Sequence, residues 1–138
     1  MLENPRGGLD SAIRWLKASY VAGAVADGLV GILMLLPGRM GEQEFRYAMG
    51  LGTSLMFGWT LLLVWGYRQP LERKGVLLLT IFPVITGLLA TGAYQVVTGA
   101  FPLARVLPSM IVGIVLIVLM GFSYFQAKGL ETKAGGGS

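Results

Sequence analysis

The stretch SYVAGAVADGLVGILMLLPG, residues 19–38, decides the fold class. It is a run of apolar and small residues with one acidic group, Asp27, near its middle. About 20 apolar residues in helical conformation cross the ~30 Å hydrocarbon layer of a bilayer. The stretch therefore predicts a transmembrane helix, and it raises the question of what a carboxyl group does at mid-membrane depth.

The composition of the whole chain agrees with a membrane protein. Of its 138 residues, 54% are hydrophobic and only 13% are charged, whereas roughly a quarter of the residues of a soluble domain are charged. The charges lie in short clusters between long apolar runs. The net charge of +4 is therefore not interpreted as a nucleic-acid patch, and no nucleic-acid partner is expected.

Four segments are long and apolar enough to span a bilayer, and we expect an all-α, four-helix transmembrane bundle with antiparallel neighbours. The spans are predicted at residues 16–36, 45–67, 75–99 and 103–126, within one domain of residues 1–134. Residues 9–17 are expected to form either a short interfacial helix or a basic collar at the start of span one. The closing GGGS, residues 135–138, is typical of a linker or tag remnant, and no cleaved signal peptide is expected.

Proline residues are expected to shape three of the spans. Pro37-Gly38 is predicted to end span one, and Pro83 and Pro108 to bend spans three and four.

The distribution of basic residues predicts the orientation. Cytoplasmic loops carry an excess of Lys and Arg. Three basic residues fall on one side of the predicted membrane, namely Arg39, Arg46 and Arg105, and eight on the other: Arg6, Arg14, Lys17, Arg68, Arg73, Lys74, Lys128 and Lys133. Both termini are therefore expected in the cytoplasm.

Small residues recur at helical spacing, and in lipid such residues allow helices to approach closely. The glycines expected to pack between helices are Gly23, Gly28, Gly31, Gly50, Gly58, Gly87 and Gly113. A shift of 59 residues aligns Asp27-Gly28-Leu29 with Thr86-Gly87-Leu88. Either an internal repeat or a chance match of small-residue helices explains that alignment.

Asp27 is the main candidate for a binding or coupling group, because a charge at mid-membrane costs several kcal/mol unless it is paired, hydrated or protonated. With ~1.5 Å of rise per residue, Asp27 is predicted level with Ser54 and Thr91, and Arg46 roughly 12 Å nearer the outside. We hypothesise that Asp27 is protonated at neutral pH or lies at the base of a wet, outward-opening cavity. Residues expected at the mouth of that cavity are Arg46, Arg105, Glu42, Glu44, Tyr47 and Gln95. Tyr94 and Gln95 are expected about one helical turn nearer the outside than Asp27.

Three other interpretations of Asp27 stay open. It hydrogen-bonds Ser54 or Thr91 and locks helix packing, it faces another subunit, or it faces lipid. The chain has no His and no Cys, so imidazole and thiolate chemistry are excluded. No metal and no cofactor are expected.

Two motifs carry a resemblance to a family. The sequence ADGLVGILMLLPG, residues 26–38, is followed by EQEFRYAMGLG, residues 42–52. This pattern resembles the small four-span bacterial proteins of the DoxX-like kind, in which a Gly-rich first helix ends near Pro and the second opens with acidic and Arg residues before glycines. The resemblance covers mostly residues 23–60 and implies a bundle in the bacterial cytoplasmic membrane, in some cases an auxiliary redox-linked component.

Three functions follow from these observations. The favoured hypothesis is a non-catalytic membrane protein, either a homo-oligomer or an accessory subunit, with lipid and other membrane chains as partners. The alternative is a small proton- or substrate-coupled transporter or channel that uses Asp27. An intramembrane enzyme is least favoured, because acid–base chemistry would fall on Asp27 and tyrosines alone.

Overall fold

A computed structural model describes residues 5–36 and 43–135 of the chain. Some predictions fall outside this part: those on Pro37-Gly38, Arg39 and Glu42, on the side chains of Glu44, Arg6 and Lys133, and on the linker beyond Gly135.

The described chain forms five α-helices and one π-helical segment. They are α1 (Pro5–Leu35), α2 (Gln43–Arg68), α3 (Gly75–Leu79), the π segment (Thr80–Ile85), α4 (Thr86–Val97) and α5 (Leu103–Gly135). Four helical stretches are long and apolar enough to cross a membrane, namely Gly7–Leu35, Arg46–Arg68, Gly75–Val97 and Leu103–Leu130. The predicted number of helices of spanning length and apolarity is confirmed, and the described residues form helices and short connections without strands.

The helices extend beyond the predicted spans at the amino end of the first and the carboxyl end of the last. Residues 9–17 belong to α1 without a break, so they do not form a separate helix. The apolar pattern marks only the part of each helix that matches the bilayer. Helical hydrogen bonding continues into the polar flanks, where the sequence pattern gives no boundary.

Span three is irregular at Pro83, as the sequence predicts. Pro83 lies inside the π segment, where its missing N–H removes one bond of the helical ladder. The Thr86 hydroxyl donates to the Ile81 carbonyl oxygen at 2.8 Å, five residues earlier. A side-chain donor thus binds a backbone carbonyl in the widened turn.

Most of the buried side chains lie toward one end of the bundle. The cluster includes Leu16, Tyr20, Leu63, Leu77 and Met120. We call this the basic end, because it also carries Arg14, Lys17, Arg68, Arg73 and Lys74. In contrast, α4, which lies toward the opposite end, has no buried residue. The bundle is therefore closely packed at the basic end and open at the opposite end.

The helices do not all contact one another. Helix α1 packs on α2 and α5, the third span packs mainly on α5, and α2 touches α3 only narrowly. Helix α2 is consequently an edge helix, because it packs mainly on α1 and makes only a narrow contact with the third span, which includes Trp59 and Thr80.

Candidate functional site

Asp27 is buried in the structure, with 7% of its surface exposed. One of its carboxyl oxygens, Oδ2, is enclosed and has no hydrogen-bond partner among the described residues. On α1 it lies between the side that packs on α2 and the side that packs on α5. Val30 lies about one turn further along α1, on the same side as Ser19, which contacts α5. Val30 is nevertheless exposed. Asp27 therefore lies close to the point where α5 leaves α1.

Contacts between α1 and α2 fix the level of Asp27. The Tyr20 ring fills the space beside Gly66, and Gly31 lies against Phe57. Residue numbers rise along α1 as they fall along α2, so position 27 lies opposite positions 59–60. The predicted level of Asp27, that of Ser54, is therefore wrong by five or six residues of α2, or about one and a half helical turns.

The side chains near Asp27 are therefore not the predicted ones. Trp59 and Thr60 lie at its level on α2, and the contacts of Ser19 with Ser123 and of Gly23 with Met120 place Leu116 there on α5. Ser54 and Thr91, the predicted partners, are both exposed. The Ser54 hydroxyl donates to the Gly50 carbonyl oxygen of its own helix at 3.0 Å.

The hydrogen-bond donors at this level already have other acceptors. Trp59 Nε1 donates to Thr80 Oγ1 at 3.0 Å, and Thr80 Oγ1 donates to the Val76 carbonyl oxygen at 2.8 Å. Thr60 Oγ1 donates to the Met56 carbonyl oxygen at 2.9 Å. These bonds explain why Asp27 Oδ2 is left without a partner.

The residues predicted at the mouth of a cavity do not converge on Asp27. Arg46, Tyr94 and Arg105 are exposed, and Gln95 is half-buried. Arg46 lies 13 or 14 residues along α2 from the level of Asp27, which corresponds to about 20 Å. Arg105 lies over the Phe101 ring, 4.8 Å from its centroid. Within the described residues, these groups do not form a binding site with Asp27.

The predicted glycines divide into two groups. A Cβ added at Gly23 would lie 2.5 Å from Met120 Cε, and one at Gly113 would lie 3.0 Å from Leu89 Cδ2. Gly28 and Gly31 likewise face side chains of α2. For Gly50, Gly58 and Gly87, in contrast, an added Cβ would meet no atom of the described residues within 4 Å.

At three further glycines, which the sequence pattern did not single out, an added Cβ would come within 3.0 Å of a neighbouring side chain. They are Gly52, Gly66 and Gly92, which face Met34, Tyr20 and Val106 respectively. Gly52 lies two residues from Gly50 and Gly92 one residue from Thr91, whereas Gly66 lies on another face of α2. Glycine spacing alone could not select Gly52 and Gly66, because α2 carries small residues on more than one side.

The sequence analysis also missed a buried hydroxyl pair between α1 and α5. Ser19 Oγ and Ser123 Oγ are 2.7 Å apart, and both side chains are fully buried. The Ser123 hydroxyl also lies 2.8 Å from the Leu119 carbonyl oxygen and 3.1 Å from the Trp15 carbonyl oxygen. The sequence signal for this pair was the presence of a serine in each of two long apolar helices, where a hydroxyl group needs a hydrogen-bond partner.

A second polar network joins α1, α2 and the turn after α2. The Tyr20 hydroxyl donates to the Arg73 carbonyl oxygen at 2.7 Å. The Arg73 guanidinium lies 3.5 Å from the Trp65 ring centroid and donates to the Trp65 carbonyl oxygen at 2.6 Å. Arg73, predicted only as part of the positive charge bias, therefore fixes the turn between spans two and three.

Comparisons with known proteins do not assign the chain to a family. No protein-family model matches the sequence, and neither curated proteins nor solved structures give a match. The resemblance to DoxX-like proteins accordingly stays a prediction.

Proposed function

We propose that this chain is a non-catalytic subunit of a membrane assembly, and that it associates with a second copy through the outward face of α2. In this proposal the four spans are antiparallel and both termini lie in the cytoplasm. The cell membrane is that of a bacterium, as the DoxX-like resemblance implies. Along α1 the contacting residue numbers rise while those of its partners on α2 and α5 fall, which supports the antiparallel arrangement.

The observation that carries this proposal is the face formed by Gly50, Ser54 and Gly58. These three residues lie four apart on α2, on the side away from α1. An added Cβ at either glycine would meet no described atom within 4 Å, and the Ser54 hydroxyl already bonds within its own helix. In lipid, small residues at this spacing let two helix backbones approach closely.

The flanks of this face are suited to packing against another helix. Leu51, Leu55 and Leu61 are 50%, 72% and 69% exposed. A second helix that packed on the small residues would contact Leu51 and Leu55 along one side of the stripe and Leu61 one turn beyond Gly58. The gain would come from van der Waals contact, since lipid tails are as apolar as leucine.

Association can be measured by energy transfer between two fluorescently labelled copies in lipid vesicles. We expect transfer for the unaltered chain and a large loss for Gly50→Leu and Gly58→Leu, because each added side chain fills the groove. Gly87→Leu is the matched control, since Gly87 is also an outward glycine but lies on α4. Equal transfer for all four proteins would contradict the proposal.

A second function is favoured by the unpaired oxygen of Asp27. A buried carboxyl group with no partner is the kind of group that couples proton or substrate movement in membrane proteins. If the chain is such a transporter, Asp27→Asn is expected to abolish proton or substrate flux across the membrane and to leave the association of two copies intact. If Asp27→Leu retains both flux and assembly, the carboxyl group has neither role.

A further inference from the structure

An open groove runs between α1 and α2 near the basic end. Its volume is about 270 Å³, and it is lined by Tyr20, Val21, Ala24 and Val25 of α1 and by Val64 and Tyr67 of α2. Apart from the two tyrosine hydroxyls, the lining side chains are apolar. Val21 and Val25 are each about half exposed, so the groove is open to the lipid side of the bundle.

Basic residues end both walls of this groove. Lys17 precedes Val21 by four residues on α1, and Arg68 follows Val64 by four residues on α2. Residues four apart lie on the same face of a helix. Each cation therefore lies one turn beyond an apolar wall residue, toward the membrane surface.

Tyr67 joins the apolar and the basic parts of the groove. Its ring lines the groove and also lies 5.3 Å from Lys17 Nζ. Arg73 is not included among the cations of the groove, because its guanidinium packs on the Trp65 ring and donates to the Trp65 carbonyl oxygen. Two cations thus flank the end of an apolar groove at the level of the aromatic belt.

We propose that this groove is a binding site for an anionic phospholipid. One acyl chain lies along Val21, Val25 and Val64, and the phosphate group is bound by Lys17 and Arg68. Lys and Arg side chains near a membrane surface attract anionic headgroups, and long basic side chains reach the headgroup level while their stems cover apolar surface.

The test compares the binding of two lipids to the purified full chain by native mass spectrometry. Phosphatidylglycerol is expected to bind more tightly than phosphatidylcholine with the same acyl chains. Arg68→Gln and Lys17→Gln should each weaken phosphatidylglycerol binding roughly fivefold, which corresponds to ~1 kcal/mol per basic residue. Arg105→Gln, at the opposite end of the bundle, should leave it unchanged.

Two further variants test the apolar part of the site. Val64→Phe should weaken binding of both lipids because it fills the groove, whereas Val115→Phe on the exposed side of α5 should not. Because Lys17 also packs on Tyr67, the exposed Arg68 keeps the test decisive if Lys17→Gln lowers stability. The proposal is wrong if the two lipids bind equally, if Arg105→Gln matches Arg68→Gln, or if glycerol phosphate alone binds as tightly as the lipid.

Discussion

At the scale of single residues, the polar groups inside the bundle differ in whether they have partners. Ser19 and Ser123 satisfy each other and backbone carbonyl oxygens. Asp27 Oδ2 and Thr53 Oγ1 are enclosed without a partner among the described residues. Unpaired polar groups are costly in an apolar environment, so the serines are expected to stabilise the fold while Asp27 does not.

Ser123→Ala should lower the free energy of unfolding by about 0.5–2 kcal/mol, because a hydrogen bond between two membrane helices is lost. The measurement is unfolding in mixed detergent micelles followed by circular dichroism. Ser109→Ala is the control, since the Ser109 hydroxyl bonds only to the Val106 carbonyl oxygen of its own helix. Equal effects of the two substitutions would show that the contact between α1 and α5 adds no stability.

At the scale of helices, the pairing of α4 with α5 depends on a close approach at Gly113. A Cβ at this position would lie 3.0 Å from Leu89 Cδ2 and 3.4 Å from Ile85 Cγ2. Helix α4 has no buried residue of its own, and its other close approach to α5 is that of Gly92 to Val106 near the opposite end, so the contact at Gly113 is expected to matter for this pairing.

Gly113→Leu is therefore expected to destabilise the protein by about 1–3 kcal/mol through overpacking. Gly121→Leu is the matched change on the same helix, where an added Cβ meets no described atom within 4 Å, and it should stay within about 0.5 kcal/mol of the unaltered chain. Thermal unfolding in one detergent measures both. A larger loss at Gly121 than at Gly113 would contradict the packing described for α5.

Helix number and approximate extent could be predicted from the sequence, because apolar length follows directly from bilayer thickness. The relative level of the helices could not. Small residues lie on several faces of α2, so Gly50, Ser54 and Gly58 gave as plausible a contact side as Gly52 and Gly66. The level of Ser54 follows from counting ~1.5 Å per residue inward from predicted span ends at residues 36 and 45, whereas the contacts of Tyr20 and Gly31 place Asp27 near Trp59.

The candidate site was predictable only in part for the same reason. Burial of Asp27 follows from its place among small residues on α1. The partners of a buried group depend on depth, and depth is set by side-chain contacts such as that of Gly66 with Tyr20. The protonated state of Asp27 stays a prediction.

At the scale of the whole molecule, the basic end is closely packed and the opposite end is open. The two polar networks and most buried apolar residues lie at the basic end. At the opposite end Arg46, Tyr94 and Arg105 are exposed. The Gly50, Ser54 and Gly58 face of α2, which we propose as the assembly surface, lies toward this open end.

The charge bias predicts that the basic end faces the cytoplasm. Because the chain has no Cys, single cysteines can be introduced at Asp10 near the basic end and at Ala100 near the opposite end. In intact bacterial cells a membrane-impermeant maleimide should label Ala100→Cys, and it should label Asp10→Cys only after the cells are permeabilised. The reverse pattern, or labelling of both in intact cells, would refute the orientation.

Disulfide formation at position 54 in native membranes tests most directly whether α2 forms the assembly surface. We predict that Ser54→Cys yields a covalent dimer on mild oxidation, because the small-residue faces of two α2 helices lie together. Val115→Cys, which replaces a 57% exposed residue of α5, should stay monomeric. Monomeric Ser54→Cys, or equal dimer formation by both variants, would contradict the proposed surface.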